Sequence, residues 1–111
     1  MDIEMATDFI DRISQVSDPD FQEMAKGFLE SAVHYAHIRA EWALKDAEWR
    51  LAQDQGRRIA HNAFIDRCNL MARWMEKLGL NTQWRRDLRE DRKLIGDFAC
   101  LLHAALGISA R

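Results

Sequence analysis

Apolar side chains recur at three- and four-residue spacing along nearly the whole chain, so the sequence predicts one helix after another. Ile3, Ala6, Phe9, Ile10, Ile13 and Val16 mark a short amphipathic helix over 3–16. Ser17, Asp18, Pro19 and Asp20 then combine a stop and a start. They supply a capping side chain, a proline at the first helical position and an acid in the first turn, where free N–H groups favour negative charge. A second stripe follows: Phe21, Met24, Ala25, Phe28, Ala32, Tyr35, Ala36, Trp42, Ala43 and Trp49, with no strong breaker before Gly56. A helix of more than about thirty residues is long for a globular domain, so the pattern predicts either a break within 46–54 or the spine of an elongated bundle. Gly27 reads as a point of close approach by another helix.

The third helix is expected over 57–78, with Ala60, Phe64, Cys68, Met71, Met75 and Leu78 inside. Ala63, Ile65, Leu70, Ala72 and Trp74 widen its apolar arc, as in a central helix with several neighbours. Gly79 stands at the C-cap. Asn81 or Thr82 can cap a short fourth helix carrying Trp84 and Leu88. The last helix, over 91–106, carries Leu94, Ile95, Phe98, Ala99, Leu101, Leu102 and Ala105, and Gly107 is its expected end. The predicted fold is therefore all-α: a small bundle of three long helices, a short N-terminal helix acting as a lid and a short connecting helix.

Composition agrees. Hydrophobic residues at 48% can build a core, and charged residues at 31% keep the surface wet, which excludes disorder. A chain of 111 residues suits one domain over 1–111. Sixteen basic against eighteen acidic side chains, a formal charge of -2, name no polyanionic or membrane partner. No apolar run is long enough for a membrane span. The acidic start Met1, Asp2, Ile3, Glu4 lacks the pattern of a signal peptide. Cys68 and Cys100 are too few for a disulfide scaffold and read as reduced core residues of a cytoplasmic protein.

Four polar groups carry candidate chemistry. At 100 degrees per residue, Glu30, His34, His37 and Glu41 fall within about 60 degrees on the second helix. They are legitimate metal ligands, but Glu23, Lys45 and Glu48 share their arc, so a solvated face is favoured and no cofactor is predicted. On the apolar side sit Arg39, Asp46 and Arg50. Charges placed there need partners. Asp46 and Arg50 can pair along the helix, and Asp66 or Asp97 can serve Arg39, either as a structural network or as a pocket for a small anion.

On the third helix, Asn62, Asp66, Asn69 and Arg73 share one face that could line a groove, while His61 sits apart towards Cys68. A Cys68–His61 nucleophile pair is disfavoured because two helical turns, about 10 Å, separate them. Finally, Trp84, Arg85, Arg86, Arg89, Arg92 and Lys93 could meet phosphates and stack a base. The interleaved Asp87, Glu90 and Asp91 argue instead for a solvated connector and against nucleic acid. Trp42, Trp49 and Trp74 are expected in the core.

The stretches 35–42, 61–73 and 93–98 resemble a small bacterial all-helical family without an established activity. That resemblance implies the fold and a bacterial setting, and assigns no role to any residue. With no phosphate-binding glycine loop, His-Glu-x-x-His or nucleophile elbow in the chain, the expected function is non-catalytic association, with a second copy or another protein. The alternative is a small-ligand or metal-binding bundle.

Overall fold

Helix starts follow the capping side chains. Asp2 accepts from Met5 N, Asp18 from Asp20 N and Phe21 N, Asp46 from Trp49 N and Asp91 from Leu94 N. Each bond satisfies an N–H group that the first helical turn leaves free. In the computed structural model, which describes residues 1–109, these caps open α1 (Ile3–Ser14), α2 (Pro19–Leu44), α3 (Ala47–Lys77) and α5 (Arg92–Ser109). The six-residue α4 (Gln83–Leu88) is introduced by Asn81, whose Oδ1 accepts from Gln83 N at 2.8 Å. No strand occurs among the described residues, and no helix among them is long and apolar enough to cross a membrane. The fold is all-α.

Two boundaries differ from expectation. Of the two alternatives for the long second stripe the break is the one found, at Lys45 and Asp46, so the second helix ends at Leu44 and the third starts at Ala47, ten residues before the expected 57. Lys45 takes an extended backbone and Asp46 caps the new helix, so an acid does what Gly56 was expected to do. Gly56 lies inside α3, where a glycine costs only about 1 kcal/mol against alanine and does not break a long helix. Likewise α5 continues through Gly107 to Ser109. Gly79 does end α3: at φ +74° it lets Leu80 N reach Met75 O at 2.8 Å while its own N–H bonds to Glu76 O. That double closure is a Schellman motif.

α2 packs between α3 and α5, and α1 lies along α5. Their centre is aromatic. Phe98 of α5 is fully buried, with ring centroids of Trp84, Phe9, Phe64 and Phe28 at 5.5, 5.7, 6.2 and 6.3 Å. Burying one such ring stabilises the fold by about 1.5–3 kcal/mol. Trp84 reverses its expected place: it is 8% exposed, stacked on Phe98 and edge-on to Phe9, whereas Trp42, Trp49 and Trp74 are only half-buried. The core does not reach the far end of the α2–α3 hairpin, where no residue from 37 to 59 is buried. This hairpin forms an arm on a molecule measuring 46 × 29 × 24 Å.

Candidate functional site

Where α2, α3 and the start of α5 diverge at the base of the arm, a cavity of about 460 Å³ opens among Tyr35, Arg39, Trp42, Asp54, Arg57, Arg92 and Lys93. Arg39 is the residue that the apolar stripe of α2 carries out of place. Its Nη1 donates to Asp97 Oδ1 at 3.0 Å, so of the two acceptors expected for it, Asp97 is used. Asp66 faces solvent on α3. Lys93 Nζ holds the other Asp97 oxygen at 2.8 Å. Together with Arg39 it keeps the Asp97 carboxyl below the usual carboxylate range, Lys93 being the larger influence.

From α3, Arg57 donates to Asp54 through Nε and Nη2, at 3.2 and 3.0 Å, and its guanidinium lies 5.4 Å from the Trp42 ring centroid, a cation–π arrangement. Arg58 takes the second Asp54 oxygen at 2.9 Å. Each carboxylate is thus shared by two cations. Arg92 makes no ion pair or side-chain hydrogen bond with any described residue.

Two further groups register this concentration of charge. Burial raises the Tyr35 hydroxyl pKa, while Arg39, Arg57 and Arg92 pull it back. His61, 6% exposed and edge-on to Tyr35 with ring centroids 5.4 Å apart, has its pKa lowered by burial, against a hydrogen bond with Asn62, and further by the same three arginines. Its Nε2 is buried without a hydrogen-bond partner. Cys68 is 1% exposed and burial pushes its thiol up to about 12, which removes the thiolate a nucleophile requires.

A second opening has the opposite character. Ile10 and Ile13 of α1, Ala25, Leu29 and Val33 of α2 and Leu106 of α5 floor an apolar groove of about 610 Å³. Lys26, Glu30, His34 and His37 stand at its rim.

The remaining sequence candidates separate. The metal face is not assembled: His37 Nε2 turns to His103 Nε2 at 3.3 Å, and Glu30 and His34 stay on the groove rim. Among the described residues, no three His, Cys, Asp or Glu side chains come together as metal ligands. The expected Asp46–Arg50 pair does not form, because Asp46 is spent on capping α3 and Arg50 Nε donates to Trp42 O at 2.9 Å. Asn62, Asp66 and Arg73 face solvent, whereas Asn69 accepts from Arg85 Nε at 2.8 Å.

The connector cannot serve as a base-stacking segment, since Trp84 belongs to the core. Arg85 is engaged by Asn69, Arg89 O and Glu90, and Arg86 by Gln83 and Thr82. Exposed Arg89 turns the chain at φ 52°, and Arg92 and Lys93 belong to the basic cavity.

Sequence reasoning missed Arg57, Asp54 and Gly96. The available signals were the Asp54–Arg57 spacing of three and a glycine set in the apolar face of α5 beside Asp97. No protein-family model, curated protein or solved structure matches this chain.

Proposed function

We propose that this chain is a non-catalytic helical protein that acts by self-association, with the apolar groove between α1, α2 and α5 taking α2 of a second copy. The observation that carries this reading is the continuity of one flank of α2. Leu29, Val33, Ala40 and Leu44 follow one another at helix spacing. The first two floor the groove, and Leu44 leaves it bare at 85% exposure. An apolar floor and a large apolar knob on the same helix suit a two-fold interface, in which each copy gives what the other receives.

Placing Leu44 against Leu29 of the second copy makes the two α2 helices antiparallel, with the axis near His37. Ala40 then meets Val33. On the rim, Glu30 comes opposite Lys45, a complementary charge pair in this register, and His34 comes opposite Glu41, an imidazole facing a hydrogen-bond acceptor. The free thiols of Cys68 and Cys100 suit a reducing, cytoplasmic compartment.

Light-scattering mass of the purified chain tests the reading. A dimer is expected for the wild type and for Leu51→Glu, an equally bare site on α3 at 81% exposure, and a monomer of unchanged helicity for Leu44→Glu. A monomeric wild type, or a Leu44→Glu variant that stays dimeric, contradicts it. A groove that instead takes the helix of a different protein would show as a monomeric wild type.

A further inference from the structure

We infer that the basic cavity between α2, α3 and the first turn of α5 is a binding site for the phosphoryl group of a small organic phosphate. It lies on the opposite flank of α2 from the groove and stands or falls independently of self-association.

Arg39, Arg57, Arg92 and Lys93 come from three helices, and Asp54 and Asp97 are the carboxylates set against them, leaving a local excess of two positive charges. Like charges brought to one cavity repel, and an anion bound among them relieves that repulsion. A dianionic phosphoryl group cancels that excess. Both acids act as anchors: Asp97 fixes Arg39 through Nη1, Asp54 fixes Arg57 through Nε and Nη2, and each guanidinium keeps further N–H donors in hand. Guanidinium groups held by a carboxylate behind them meet an oxyanion in front with little loss of side-chain freedom.

Among the described residues Arg92 forms no ion pair, so its guanidinium is the cation of the group that stands unengaged. It is also the first residue of α5, directly after Asp91, whose carboxylate caps that helix. The arginines' common pull on Tyr35 and His61 agrees with their convergence on one volume.

Gly96 is part of the construction. A Cβ there would stand 2.5 Å from Arg39 Nη1, so the absent side chain is what lets the guanidinium lie over α5. The cavity, at about 460 Å³, is larger than a bare phosphate needs, and Trp42 and Tyr35 flank the remaining space as apolar walls for an organic part.

Isothermal titration at constant ionic strength, with inorganic phosphate and with glycerol 3-phosphate as probes, tests the site. Saturable binding of glycerol 3-phosphate below roughly 10 mM is expected, weakened about tenfold or more by Arg92→Gln and unaffected by Lys77→Gln at the exposed end of α3. Arg92→Gln removes no side-chain bond between described residues, so its circular dichroism should match the wild type. The ester is expected to bind more tightly than inorganic phosphate. Equal affinities would overturn the organic-phosphate assignment in favour of free phosphate. Failure of both probes to saturate, or an Arg92→Gln variant that binds as well as wild type, overturns the site itself.

Discussion

The guanidinium of Arg39 lies directly over Gly96: an alanine Cβ at that position would come within 2.5 Å of Nη1, 2.7 Å of Cζ and 2.8 Å of Nε. One residue of α5 without a side chain thus lets an arginine of α2 cross the helix interface and reach Asp97, the next residue on α5. Gly27 stands in the same relation to Arg67 of α3, whose Nη1 would be 2.9 Å from an added Cβ.

Gly96→Ala should leave the stability of the fold nearly unchanged while displacing Arg39. Alanine gains about 1 kcal/mol of helix propensity. The part-exposed ion pair it disrupts is worth at most about 1 kcal/mol. The urea midpoint is therefore expected to move little, whereas affinity for glycerol 3-phosphate should fall. A large drop in the midpoint would mean that Arg39 packs the interface more than it serves the cavity.

Gly56→Ala is the contrasting case. Nothing lies within 4 Å of an added Cβ, and the site is inside α3. The substitution should stabilise the protein by about 0.5–1 kcal/mol, read as a higher urea midpoint with an unchanged slope.

The break between α2 and α3 explains why Gly56 misleads. A glycine reads as punctuation, yet a single glycine weakens a helix without ending it, while the short Asp46 side chain bonds the backbone at Trp49 N and so starts a new helix. Asp18 was legible because it precedes Pro19 and a clear apolar stripe, whereas Asp91 was read as the first residue of its helix and not as the cap. A break within 46–54 was readable only as one of two alternatives, because Trp42 and Trp49, seven residues apart, keep one stripe unbroken across the turn. Their rings do meet, at 6.0 Å between centroids, but from two helices.

Trp84 shows a different limit. Its neighbours Arg85 and Arg86 make the segment look solvated, and only the three-dimensional closure over Phe9 and Phe98 draws the indole inward. For the basic cavity, half was readable: a charge on an apolar stripe announces that Arg39 needs a partner, and Asp97 was one of two candidates. Arg57 and Arg92 enter through the relative rotation of three helices, which spacing along one chain does not encode.

Cysteine reactivity should divide cleanly. Cys68 is buried with its thiol pushed up to about 12, and Cys100 is half-buried. Titration with a chromogenic disulfide at neutral pH is expected to modify Cys100 alone in the native protein and both thiols after unfolding. Two fast thiols in the native state would contradict the packing of α3.

His61 gives stability a defined pH dependence. Burial, and then Arg92, Arg57 and Arg39, lower its pKa in the folded state below the unfolded value of about 6.5. Between those two values the unfolded chain binds more protons, so stability rises with pH through the window, levels off above about 6.5 and is lost as pH falls towards the folded value. Urea unfolding across this range should show that slope in the wild type and a shallower one in His61→Leu. Equal slopes would place the dependence elsewhere.

Self-association along α2 is tested most directly by sedimentation of two charge-reversed chains, Glu30→Lys and Lys45→Glu, separately and mixed. In the antiparallel register each variant alone sets like charges against each other at both rim positions, and an equimolar mixture restores both opposite pairs. Weakened dimers of each variant and a tight heterodimer in the mixture are the expected result. Masses that do not change on mixing would contradict the antiparallel seam.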